Sequence, residues 1–232
     1  MDGINEVVFN VGDFSFSIHQ SIINWFGVLV FVGIVLIWAG RKFKQADPSK
    51  PPTKTLVVFE EVYNLTSGVI GGNLNEKTWT YLPFMGTVMI CMVISNLLGL
   101  LGLQTPTSNL SVNITLALMM FVLIHGTNLK KVGIKGKIKG WMEPLPFLFP
   151  LNVIGDIAFP VSLTLRLFGN MLGGTIIIAL LYMFIKSLSY FGIVMFGVTP
   201  FLHMYFDIFA AFMQTYIFFM LASYFLNEAI GE

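Results

Sequence analysis

Between Thr78 and Leu129 the chain carries no Lys, Arg, Asp or Glu over 52 residues. As one helix that run would extend about 78 Å at 1.5 Å per residue, against a bilayer core of about 30 Å, so it must turn. The polar, proline-containing stretch Gln104-Thr-Pro106-Thr-Ser-Asn109 supplies the break, giving spans over 79–103 and 112–127. Three more apolar runs follow the same pattern: 22–40, 152–185 with only Asp156 and Arg166 charged, and Ser187–Asn227 with only Asp207 charged and its helix over 189–227. Lipid offers no partners for unpaired backbone groups, so the spans are read as helices. The pattern predicts an all-α polytopic membrane protein of one domain, 1–232, with five membrane helices. The last two are too long for an upright crossing, and are expected to tilt strongly, kink or project into water. Pro160, Gly197 and Pro200 are the candidate bend points. Residues 1–21 read as a tail. Over 53–72, Leu56, Val57, Phe59 and Tyr63 can share a face with Glu60 and Glu61 opposite, which suits an amphipathic interfacial helix as well as an ordered loop.

Composition agrees. The chain is 56% hydrophobic and 11% charged, with mean hydropathy +0.80. A soluble domain carries roughly 25% charged residues, so a water-facing globule is excluded. A net charge of +1 excludes a strongly basic nucleic-acid binder. The single cysteine, Cys91, excludes a disulfide framework and a cysteine-only metal site. Eleven of the thirteen basic residues lie in 41–77 and 130–139, on one side of the predicted layout. That side is expected to be cytoplasmic, with the N-terminus outside and the C-terminus inside. The acidic start of the chain does not suit a cleaved signal peptide. We find no internal repeat.

Arg166 changes the picture from architecture to chemistry. It lies twenty residues before Lys186 and well beyond Pro150, out of reach of either surface. Its guanidinium stays charged, at a membrane cost of at least about 2.5–3.5 kcal/mol. A static ion pair with Asp156 or Asp207 would offset that cost and only hold helices together. The neighbourhood suggests more. Asn170 is one turn on, and Gly169, Gly173 and Gly174 lie on or near the same side, where small residues admit a close partner helix. In the last span His203, Asp207 and Gln214 form a polar stripe. A water-filled passage or a buried hydrogen-bond cluster would satisfy it equally. One His and one Asp do not complete a metal site.

Arg166-Leu-Phe-Gly-Asn170-Met, preceded by Pro160-Val-Ser-Leu, resembles the signature of subunit a of bacterial F-type ATP synthases. Met213-Gln214-Thr-Tyr-Ile-Phe-Phe-Met-Leu, Ser95-Asn96-Leu-Leu-Gly-Leu and Thr107-Ser-Asn109-Leu-Ser-Val-Asn113-Ile-Thr resemble other segments of that family. The resemblance implies a stator subunit, not catalytic by itself, in the ion-translocating membrane sector of a rotary motor. It implies a multi-pass place in the bacterial plasma membrane. It implies as partners a ring of c subunits with membrane carboxylates, a b-subunit peripheral stalk and the remaining synthase subunits. By the resemblance Arg166 faces the ring with Gln214 and Asn170 near it, and Gly169 and Gly173 line the approach. Thr175, His203, Asp207, Asn96 and Asn113 are the implied outer half-channel, and Asp156 the inner one. Many relatives have an ionisable residue nine positions after the arginine, where this chain has Thr175. Many have His or Glu seven before the glutamine, where it has Asp207. No cofactor is expected beyond the transported ion, H⁺ or Na⁺. Two other readings of the residues are an anion transporter, for which matching halves are missing, and a purely structural membrane subunit.

Overall fold

The computed structural model describes residues 6–11, 14–47, 51–143, 145–187 and 192–230, excepting the side chains at 6–18, 185–200, 202–203 and 206–207. The expected tail instead contains an antiparallel hairpin, β1 (Glu6–Val11) and β2 (Phe14–His19), in the register Val7↔Ile18, Phe9↔Phe16, Val11↔Phe14. The sequence there alternates with period two, the strand period.

Among the described residues six α-helices follow: α1 (Gln20–Lys44), α2 (Lys54–Gly71), α3 (Leu82–Leu97), α4 (Leu110–Met142), α5 (Phe149–Ser187) and α6 (Gly192–Ile230). Among the same residues five segments are long and apolar enough to cross a membrane: Gln20–Lys44, Trp79–Leu101, Leu110–Met142, Pro146–Phe184 and Ile208–Ile230. The five-span reading therefore holds. Local chemistry sets the ends. Arg41, Lys42 and Lys44 occupy the last turn of α1, where the helix dipole favours cations. A 3₁₀ turn over Leu98–Leu101 ends at Gly102 with φ 71°, left-handed backbone that glycine adopts freely. Asn109 caps α4, its Oδ1 accepting from Ser111 N at 2.9 Å.

Three expectations are revised. The third span does not stop at 127, because α4 continues to Met142 across a break at Gly133 (φ 71°, ψ 172°). The basic stretch after Lys130 is thus mostly helix that changes direction at a glycine, not a loop. Residues 54–71 are a helix, which decides between the two readings of that segment. Its packed stripe runs through Phe59, Thr66 and Ile70, while Val57 and Tyr63 stand outward. Thr66 and Ile70 turn inward because α3 comes very close. A Cβ on Gly86 would lie 2.9 Å from Thr66 Cγ2.

The core lies among α2–α6 and includes Ile70, Met85, Met92, Met120, Leu163, Leu167, Phe218 and Phe219. α1 packs Val28 and Val32 against Cys91 of α3 in a second, smaller cluster and leaves Phe26, Val30, Ile34 and Ile37 outward, as a lipid-facing helix should. Two sets of polar contacts define the ends of the bundle. At one end Asn24 Nδ2 donates to Gln104 O at 2.8 Å. At the other, Asn128 and Lys131 donate to the carbonyls of Ala229 and Ile230, and Asn73 Nδ2 bonds Ser223 Oγ at 3.3 Å. The second end carries the lysines of α4 and is called the basic end below.

Candidate ion-translocation site

α5 presents its core side through Leu163 and Leu167, both 2% exposed, while Arg166 between them is exposed. Gln214 of α6 is buried, and its Nε2 donates to Leu167 O at 3.4 Å. The glutamine therefore meets α5 one residue beyond the arginine, at the same level of the bundle. Among the described residues Gln214 Oε1 has no protein partner, and a buried acceptor ordinarily has one.

The same side of α5 is open. Gly169 and Asn170 are exposed, and a Cβ built on Gly169, Gly173 or Gly174 would meet nothing within 4 Å. These glycines are not there to fit a neighbour within the chain. Among the described residues Arg166 forms no ion pair with Asp156, and ten residues separate the two by about 15 Å along the helix. A static Arg166–Asp156 pair is thus excluded. The side chains of His203 and Asp207 lie outside the described residues.

A cavity of about 840 Å³ reaches Arg166 from the basic end, following α5 from Leu151 and bounded by α4 and α6. Its polar lining includes His125, Lys137, Asp156, Ser162, Arg166 and Glu228. Asp156 belongs to a compact cluster. Its Oδ2 accepts from Trp141 Nε1 at 2.8 Å, and lies 3.7 Å from His125 Nδ1 and 4.0 Å from Lys137 Nζ. Lys137 Nζ is also 2.6 Å from His125 Nδ1. Asn152 Nδ2 donates to Trp141 O at 2.9 Å, fixing the indole's backbone. The break at Gly133 brings Lys137 and Trp141 to this wall.

Toward the Gln104 end lies a second, buried polar group. Thr107 Oγ1 donates to Asn96 Oδ1 at 2.5 Å, Asn96 Nδ2 lies 3.5 Å from Thr215 Oγ1, and Asn113 Nδ2 donates to Thr107 O at 2.8 Å. All four residues are buried. Ser95 Oγ and Asn113 Oδ1 remain without protein partners, which fits an environment that admits water or a cation. The structure thus brings Asn96 and Asn113 together and sets them beside Thr215, the neighbour of Gln214. Thr175 does not join them. It is exposed, its Oγ1 bonds Met171 O at 2.9 Å, and nine residues put it about half a turn away from Arg166.

Sequence reasoning did not single out His125, Lys137, Trp141, Glu228 or Thr215. One signal was available for His125: it is the only strongly basic-capable side chain in the charge-free run from Thr78 to Leu129. Among the described residues no group of three or more His, Cys, Asp or Glu is placed to hold a metal ion.

Known proteins resemble this chain over nearly its whole length. Residues 21–227 match the family described as ATP synthase A chain. "ATP synthase subunit a, sodium ion specific" of Propionigenium modestum is 28% identical over 95% of this chain and 77% of its own length. "ATP synthase subunit a" of Chlorobium phaeobacteroides is 34% identical over 94% and 67%. "ATP synthase subunit a" of Sulfurihydrogenibium sp. is 31% identical over 91% and 97%. A match that takes in nearly all of the five spans, on a bundle holding an exposed arginine level with a buried glutamine, leaves one conclusion: the chain belongs to the ATP synthase A chain family, subunit a of the Fo sector of F-type ATP synthases.

Proposed function

We propose that this chain is the stator ion-channel subunit of its synthase, passing H⁺ or Na⁺ through two offset half-channels to and from carboxylates on a ring of c subunits. The observation that carries this reading is the cavity that runs from the basic end to Arg166, with Asp156 and Glu228 in its wall. A separate polar group, Asn96–Thr107–Asn113–Thr215, occupies the opposite end and stops beside Gln214. One polar region that reaches Arg166 and another on its far side, buried beside Gln214, suit a path that must be completed by a moving partner. The open glycine face beside Arg166 is the surface for that partner.

The chemistry follows from the charge. A loaded ring carboxylate that meets a fixed guanidinium has its charged form stabilised, so its pKa falls and its ion leaves toward one half-channel. The carboxylate passes Arg166 and is reloaded from the other side. Arg166 also repels a cation that would cross without riding the ring. The drive is about 2.3 kcal/mol per charge per 100 mV. ATP is made in the water-soluble sector, held to this subunit by a b-subunit stalk. In this reading the basic end faces the cytoplasm and the N-terminus lies outside the plasma membrane. Asp207 and His203, with Asn96 and Asn113, serve the outer passage, and Asp156 the inner one.

The Propionigenium relative is named sodium ion specific, and Thr175 in place of an ionisable residue is compatible with Na⁺ as well as H⁺. The test is to purify the complex through this subunit, establish that a c ring and the soluble ATPase come with it, and reconstitute it in liposomes. ATP addition should then drive cation uptake, assayed with and without Na⁺. Purification without a ring, or ATP hydrolysis that moves neither ion, overturns the proposal.

A further inference from the structure

The cavity below Arg166 holds a cation of its own. Lys137 has only 16% of its side chain exposed, and its ammonium points at His125 Nδ1 at 2.6 Å and toward Asp156 Oδ2 at 4.0 Å. An ammonium has donors and no acceptor, so the short contact requires a bare Nδ1: His125 is neutral in this arrangement. The imidazole is held edge-on to Phe121, with ring centroids 4.1 Å apart. A proton arriving at Nδ1 would turn Lys137's acceptor into a second cation. It would also give His125 its own partner, Asp156 Oδ2, 3.7 Å away. The other charged groups facing this space are Arg166 on α5 and Glu228 on α6. Glu228, with no ion pair among the described residues, is the other carboxylate in the cavity wall. The element that carries Lys137 follows the backbone break at Gly133 and contains Gly136 and Gly140, which ease small rotations of a short helix.

We propose that Lys137 is a tethered cation that stops this cavity, and that protonation of His125 releases it. This rests on the reading that the cavity carries the transported ion. With His125 neutral, Lys137 occupies the carboxylate that an incoming cation would use. With His125 protonated, the histidine takes Asp156 and Lys137 moves to Glu228 or water, so the passage opens as pH falls on the basic side. Trp141, bonded to Asp156 and 5.3 Å from Lys137 Nζ, positions the pair.

The test uses the whole complex in liposomes, with ATP-driven pumping normalised to incorporated subunit. Wild type is divided by Lys137→Gln at each pH of the ATP side, which cancels the pH response of the ATP-hydrolysing sector. One proton governs the block, so the ratio should fall as the pH of the ATP side rises, by up to about tenfold per pH unit. Lys137→Arg should keep the profile, and His125→Asn should abolish it. A control addresses the underlying reading: Ser162→Cys in a Cys91→Ala chain is treated with a bulky thiol reagent. Block of pumping there, together with a wild-type to Lys137→Gln ratio independent of pH, overturns the inference and leaves the passage standing. Unimpaired pumping after labelling of Cys introduced at 162 overturns the passage itself, and the inference with it.

Discussion

Gly173→Leu separates folding from function at the surface beside Arg166. A Cβ at this position meets no atom within 4 Å, and the same is true at Gly169 one turn earlier. Within the chain, then, the added Cβ has room, and exchanging glycine for a good helix former contributes up to about 1 kcal/mol in favour of the helix. Incorporation of the subunit should be unchanged or slightly improved. If a ring helix passes over this face, the added side chain overpacks the contact at every step. Overpacking costs about 1–3 kcal/mol, and each 1.36 kcal/mol is tenfold in rate, so coupled transport should slow roughly 5- to 150-fold. Leu172→Ile is the control: Leu172 is 45% exposed, is not on the arginine's side, and the exchange conserves volume. The assay is ATP-driven pumping in membrane vesicles, divided by immunoblotted subunit. If Gly173→Leu pumps at the wild-type rate per subunit, no moving partner contacts this face. If it fails to insert, the open surface assigned to Gly173 is wrong.

Thr107→Val keeps the shape of a fully buried side chain and removes the hydroxyl that serves Asn96 Oδ1; leaving that acceptor unpaired should cost about 1–3 kcal/mol. Thermal unfolding of the purified subunit in detergent should show the loss, and an unshifted transition would mean that the Asn96–Thr107 bond adds no stability. Asp207→Asn should slow transport from the outer side partially while sparing assembly, because one charge lost from a hydrated passage is heavily screened. Initial rates per incorporated complex over a range of outside pH and Na⁺ check this, and rates unchanged throughout remove Asp207 from the ion path.

The membrane architecture was legible because it depends on where charges are missing, and that is a one-dimensional property. The break at Gln104–Asn109, the length of α5 and α6 and the odd place of Arg166 all follow from it. The link between Gln214 and the level of Arg166 came from the motif resemblance, and the Gln214–Leu167 bond supplies the geometry behind it. The pairing of β1 with β2 is carried by the alternation of Val7, Phe9, Val11 and Phe14, Phe16, Ile18, a signal that a map of charges does not contain. The cluster at Asp156 could not be read from spacing. His125, Lys137, Trp141 and Asp156 meet only because α4 changes direction at Gly133 and folds its basic end against α5. A glycine among lysines looks like any loop glycine until its φ of 71° is known. The positive residues near Lys137 bear on orientation only through their sum, which does not distinguish the one that turns inward.

The central claim is that Arg166 is the fixed charge past which every transported ion must be handed. Its most direct test is ATP-driven ion transport by complexes carrying Arg166→Ala or Arg166→Lys, with the c-ring content of each complex measured in the same preparation. Both variants should assemble with the ring, since Arg166 is exposed and forms no described ion pair with Asp156. Both should lose coupled transport, the lysine variant because an ammonium lacks the planar fork and can give up its proton. Full coupled ATP synthesis by a ring-bearing Arg166→Ala complex would contradict the account.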